Sequence, residues 1–244
     1  MSPLEFRAFT KQLLFIDIET VAGKADFTEL PERLQKEWIR KAGRLKNDEE
    51  RTEAELYPER AAIYAEFGKI IVIGLGFFHW DENDELTFRV RTFHGHEEAE
   101  VLQQFCDLIE KRYSPKLTLC AHNGREFDYP YLCRRLMVQG LKIPKPLWNP
   151  NWKRYDNPHL DTMELWKFGD YKNFTSLELL AALFEIPSSK ENLSGDQVNA
   201  TYYQQNDLTA IAEYCREDVV VLAQLYLRFN RFPLLPEEQI FRLA

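Results

Sequence analysis

Apolar residues recur along this chain first in short unbroken or alternating runs and then, in the last third, at helical spacing. Lys11 to Glu19 contains the run Leu13 to Ile16 and predicts a buried strand; Lys69 to Trp80, rich in Ile, Val and Phe, predicts another. Asp81 to Asp84 is a polar turn, and Leu86, Phe88 and Val90 then alternate with polar residues, so the second run continues as a hairpin. An amphipathic helix is expected over Glu97 to Tyr113, a short strand over Lys116 to Ala121, and a helix over Phe127 to Gln139.

Between Ile143 and Pro158 the prolines and tryptophans predict a long irregular connection. Thr175 to Phe184 and Leu208 to Phe229 then read as helices, separated by a polar loop from Ser188 to Asp196, with Asp207 as cap of the final helix. Residues 24–66 form a charged, helix-prone insertion with Leu34, Trp38 and Leu45 spaced for one face. Two readings apply to it: a solvated excursion, or a cover over whatever the first strand carries, since it departs directly from that strand.

Composition narrows the class. With 244 residues and 45% hydrophobic content, the chain suits one sizeable α/β core covering residues 1–244. The longest apolar run, Ile70 to Phe78, falls well short of the roughly 20 residues that span a bilayer. No membrane association is expected. The N-terminal stretch has no secretory pattern, and Cys106, Cys120, Cys133 and Cys215 stand singly without CxxC spacing, so buried thiols in a reducing cytoplasm are expected. A net charge of -8 argues against a broad basic surface gripping long duplex DNA.

Three short motifs carry the candidate chemistry. In FIDIET, Asp17 and Glu19 lie two apart on a strand and therefore share a face, while Ile16 and Ile18 take the other. Two adjacent acids in an apolar strand are costly unless a cation lies between them. In YCREDVVVL, Tyr214 and Asp218 lie one helical turn apart on one side. Between these, AHNGREFDYPYL holds Asn123, Phe127 and Asp128. Singly, each motif has an ordinary structural explanation: a strand edge, a core tyrosine, a helix cap.

Jointly, in their order and separations, the motifs resemble the exonuclease domain of B-family DNA polymerases and the wider DEDDy group of 3′-5′ exonucleases, across most of the chain. The resemblance implies a ribonuclease H-like α/β fold, a mixed sheet with a three-stranded antiparallel meander plus parallel strands and helices on both faces. It implies two divalent cations, Mg²⁺ or Mn²⁺, held by Asp17, Glu19, Asp128 and Asp218. Asp17 would bridge both ions, Glu19 and Asp218 would complete one site, and Asp128 would support the other. Tyr214 would orient the attacking water. Thr20, Asn123 and Phe127 would contact the 3′-terminal nucleotide. A chain of this length has no room for a polymerase domain, so a standalone relative is expected.

Oxygen donors favour Mg²⁺ or Mn²⁺ over zinc, and a phenol is a poor base at neutral pH, so orientation of water is favoured over proton abstraction by Tyr214. The expected reaction is hydrolysis at the 3′ end of nucleic acid, with single-stranded DNA as the expected substrate. The motifs do not read the 2′-hydroxyl, so RNA stands as a second candidate substrate. The same fold could also serve as a catalytically silent nucleic-acid-binding module. An endonuclease of the ribonuclease H type would use a related acidic site, but it would not require Tyr214. Asp161 could line the site or cap a helix; Lys190 could meet a phosphate; His94 and His96, at a strand-to-helix turn, are not expected to bind a metal.

Overall fold

The first two apolar runs become the central strands of a mixed sheet. A computed structural model of the protein describes residues 3–46, 50–112, 117–147, 156–170, 174–188 and 193–243. Its sheet contains β1 (Leu13–Ala22), β2 (Gly68–Trp80), β3 (Leu86–His94), β4 (Thr118–Ala121), β5 (Leu160–Asp161) and β6 (Ile240–Arg242), in the order β5-β4-β1-β2-β3-β6. β1, β2 and β3 form the antiparallel meander, β4 and β5 add in parallel beyond β1, and β6 adds in parallel beyond β3. This is the mixed sheet expected from the resemblance.

β1 is central, and its residues are buried on both faces apart from half-buried Asp17. It runs three residues past the predicted end. A bulge between Glu19 and Thr20 resets the register, after which Thr20, Val21 and Ala22 pair with Ile70, Lys69 and Gly68. Leu14, Ile16 and Ile18 point into one core with α4 (Glu98–Lys111) and α5 (Asp128–Val138). Leu13 and Phe15 point into the opposite core, built with α9 (Leu208–Phe229). The two-residue period therefore delivers Asp17 and Glu19 to the face covered by α9.

Helix α9 matches its predicted bounds, and Asp207 caps it by accepting from the Ala210 N–H at 2.9 Å. Its approach to the sheet depends on two glycines in β2. A Cβ on Gly74 would lie 2.8 Å from Val219 Cγ2 and 2.9 Å from Cys215 Sγ, and one on Gly76 would lie 2.8 Å from Val219 Cγ1. On the other face, α5 is held by buried Arg135, whose guanidinium donates to Glu98 at 2.5 and 2.8 Å and to the Ala65 carbonyl at 2.8 Å.

The insertion has a core of its own. Helices α2 (Glu32–Ala42) and α3 (Glu53–Arg60) enclose Trp38, Ala42, Leu56 and Tyr57 against Ala22 and Phe67, and Trp38 Nε1 donates to the Glu53 carbonyl at 2.7 Å. It is thus more than a solvated excursion, although Leu34, expected on the inner face, is 38% exposed. The remaining α-helices among the described residues are α1 (Pro3–Thr10), α6 (Thr162–Lys167), α7 (Leu177–Leu183) and α8 (Val198–Ala200); α8 continues as a π turn over Thr201–Gln205. Of these only α7 was legible as a helix from apolar spacing. Tyr113, Lys116, Lys190 and much of the irregular connection lie outside the described residues.

Candidate active site

The four acids converge where β1, α5 and α9 meet. Burial, followed by the charges of Glu19, Asp218 and Asp128, drives the Asp17 carboxyl well above the ordinary carboxylate range. Residues far apart in sequence thus act on one another at short range. Glu19, Asp128 and Asp218 are all buried.

Asp128 opens α5, and its carboxyl is pushed up to about 7, chiefly by burial. Backbone N–H groups of Asp128 itself and of Ile18 oppose that shift. Its Oδ1 is buried with no hydrogen-bond partner among the described residues. An orphaned carboxylate oxygen beside other acids is the local signature of a place suited to a cation. The donor set fits divalent metals: carboxylates Asp17, Glu19, Asp128 and Asp218 supply hard oxygens, and the pair Asp17 and Glu19 has donor atoms within 4.8 Å of each other and of Cys215 Sγ.

Cys215 is the neighbour that spacing did not reveal. Fully buried on α9, it donates to Asp17 Oδ2 at 3.4 Å, and Sγ lies 3.6 Å from the Asp17 carbonyl oxygen. Burial and the charges of Asp17 and Glu19 raise its thiol well above its ordinary value. It is therefore a neutral S–H donor to Asp17 and adds no anionic sulfur to the oxygen set. The position immediately after Tyr214 was the available signal, since helix geometry turns successive residues by about 100° and lets both border one site.

Tyr214 lies on the preceding turn of α9 from Asp218, and its hydroxyl hydrogen-bonds to that carboxylate. Burial, then the charges of Asp218, Glu19 and Asp17, raise its pKa strongly. The phenol is thus a proton donor at ordinary pH.

The turn between β4 and α5 is organised by Asp161, which is 2% exposed. Its Oδ1 accepts from the N–H groups of Asn123 and Met163 at 3.0 Å and of Glu164 at 3.3 Å, while Oδ2 accepts from Arg125 N–H at 3.0 Å. Asp161 is therefore both the cap of α6 and the clamp of this turn. His122, one residue earlier, accepts from Thr162 Oγ1 and donates to the Thr175 carbonyl, both at 2.8 Å. Asn123 is held at φ 64, and its Oδ1 is buried without a partner among the described residues. Phe127 is half-buried against Tyr131, with ring centroids 5.3 Å apart. The Thr20 hydroxyl is committed to the Ala62 carbonyl at 2.9 Å, leaving its backbone as the part available for other contacts. His94 bonds to Thr92 and His96 to Tyr202.

Residues 63–237 match a family described as "Predicted 3'-5' exonuclease related to the exonuclease domain of PolB". That span contains Asn123, Phe127, Asp128, Tyr214 and Asp218, and it begins after Asp17 and Glu19. No protein of curated function matches the chain. Among solved structures, the family B DNA polymerase of the hyperthermophilic archaeon Pyrobaculum calidifontis is similar in fold, with TM-score 0.52 and 13% identity over 88% of this chain. The likeness spans 24% of the polymerase.

Proposed function

Because the chain belongs to the family of predicted 3′-5′ exonucleases related to the exonuclease domain of PolB, we propose that it hydrolyses phosphodiester bonds at the 3′ end of single-stranded DNA with two divalent cations, Mg²⁺ or Mn²⁺. The observation that carries this reading is the convergence of four carboxylates from β1, α5 and α9, with Asp128 Oδ1 unpartnered among the described residues. Asp17, Glu19, Asp128 and Asp218 would hold the ions. When bound, such ions supply Lewis-acid stabilisation of the phosphoryl oxygens and lower the pKa of water.

The chain's own groups do the rest. Cys215 donates its thiol proton toward Asp17 and helps fix that carboxylate. Tyr214, kept protonated, presents its hydroxyl beside Asp218 and positions the attacking water by hydrogen bonding. Asp161 locks the turn that carries Asn123 and leads into Phe127 and Asp128, so the terminal nucleotide meets a fixed amide and a stacking ring. The insertion at residues 24–66, one helical unit within a single domain, borders the end of β1 through the bond from Thr20 to Ala62, and as a cover it would restrict entry to a single-stranded end.

Among the described residues no helix is long and apolar enough to cross a membrane. Four free cysteines suit a reducing cytoplasm. The deciding experiment follows matched 3′- and 5′-labelled DNA and RNA oligonucleotides with Mg²⁺ or Mn²⁺. Stepwise loss from the 3′ end, faster on DNA and abolished by chelation, is expected. Cleavage of a closed circle, or cutting in excess chelator, would overturn the reading.

A further inference from the structure

A lysine, a tyrosine and a histidine from separate segments meet near the end of β1, on the sheet face that also carries Asp17 and Glu19. Lys69 is the second residue of β2, and its Nζ donates to Tyr202 Oη at 3.1 Å while lying 5.0 Å from the Tyr202 ring centroid. The same hydroxyl lies 2.9 Å from His96 Nδ1, so a phenol that accepts from the ammonium can pass its own proton to the imidazole. Tyr202 belongs to the π turn Thr201–Gln205, which is moored to the end of β1 by Tyr203, whose hydroxyl donates to the Ala22 carbonyl at 2.6 Å.

The trio's position follows from sheet register. Lys69 pairs with Val21, two residues beyond Glu19, a separation of roughly 7 Å along a strand. Val21, Tyr202, Tyr214 and Cys215 pack in one cluster, so the trio borders the face that carries Asp17 and Glu19. None of the ion pairs among the described residues involves Lys69. A half-buried ammonium that is in no ion pair among the described residues, aligned by a phenol and set two residues along the strand from Glu19, has spare donors for an anion.

We propose that Lys69, aligned by Tyr202 and His96, binds the phosphodiester next to the one being cut. This rests on the exonuclease reading for the identity of the scissile bond. A 3′ end has a neighbouring phosphate on its 5′ side alone, so the site takes the linkage between the second and third nucleotides from that end. It also supplies an acidic protein with a local cation for a polyanionic strand.

The test measures binding of short single-stranded DNA by fluorescence anisotropy in chelator, where no turnover occurs, using wild type, Lys69→Gln and Lys69→Arg. Lys69→Gln should weaken binding about tenfold, as for loss of a charge-assisted hydrogen bond. It should also reduce the slope of log affinity against log salt by about 0.7. Lys69→Arg should restore most of both. A neutral methylphosphonate at the second linkage from the 3′ end should weaken wild-type binding and have little further effect in Lys69→Gln. An equal penalty in both proteins, or an unchanged salt slope, would overturn the assignment. Turnover with Mn²⁺ is scored separately. Absence of cutting with the coupling intact would remove the exonuclease reading and leave the phosphate site, whereas 3′ cutting without coupling would do the reverse.

Discussion

Gly74 lies directly across the β1–β2 ladder from Asp17, and the space a side chain would occupy there is filled by Cys215 and Val219 of α9. The missing Cβ lets α9 settle close enough for Cys215 to reach Asp17 and for Tyr214 and Asp218 to join it. Gly74→Ala should therefore cost about 1–3 kcal/mol through overpacking and reduce turnover by displacing α9. Chemical denaturation and exonuclease assays on the same preparation check both. Wild-type stability with wild-type rate would mean that α9 has slack at this point.

Asp17→Ala should abolish turnover, whereas Tyr214→Phe should retain metal binding and lower the rate by about 10²- to 10⁴-fold, the range for a group acting on a proton in the transition state. Steady-state kinetics with a Mn²⁺ titration separates the two. Full activity of Tyr214→Phe across pH would remove its role in positioning water.

Clustered acids should make the metal-free fold sensitive to pH in a defined direction. Asp17 and Asp128 have folded pKa values above their unfolded ones, so the native state retains protons that the unfolded chain has released. For Asp128 the stabilisation is present below about 4 and is lost as pH rises to about 7. Metal-free protein should accordingly melt at lower temperature at pH 7.5 than at pH 5, and Asp128→Asn should flatten the difference. Calorimetry in chelator measures this; the opposite slope in wild type would contradict the cluster as described.

Mn²⁺ should raise the melting temperature at pH 7.5, since an ion that binds only the folded state contributes about 2.7 kcal/mol at 100 times its dissociation constant. Asp17→Ala and Asp218→Ala should blunt that rise. An equal rise in the variants would place the ions elsewhere.

Asp161→Ala should destabilise the protein by about 1–3 kcal/mol, because four N–H groups lose their acceptor and that of Met163 is buried. Hydrogen exchange at Asn123 and Arg125 should accelerate first. Unchanged protection at these amides would show that the turn is held by other contacts.

The strands and helices that frame the site were legible because their side chains signal locally: an unbroken apolar run for β1, a period of two for β3, and 3.6 for α4, α5 and α9. Asp17 with Glu19 and Tyr214 with Asp218 could be placed on common faces by the same arithmetic. β6 at Ile240–Arg242, β5 at Leu160–Asp161 and the π turn at Thr201–Gln205 were not legible. They are too short to show a period and exist only because a neighbouring strand edge or helix end supplies their hydrogen bonds. The cap-and-clamp role of Asp161 was half visible, since a cap is local but the amides of Asn123 and Arg125 are 38 and 36 residues away.

By itself, the sequence determined which residue types could do the chemistry and which pairs share a face, because strand and helix geometry fixes side-chain direction over one turn or one pleat. Tertiary structure alone decided that β1, α5 and α9 bring four acids to one point, that Cys215 adjoins Asp17, and that Lys69 meets Tyr202 and His96. These relations are set by the β1–β2 register, by the bulge after Glu19 and by the two glycines that admit α9. Each is a contact between segments far apart along the chain, and no local period carries that information.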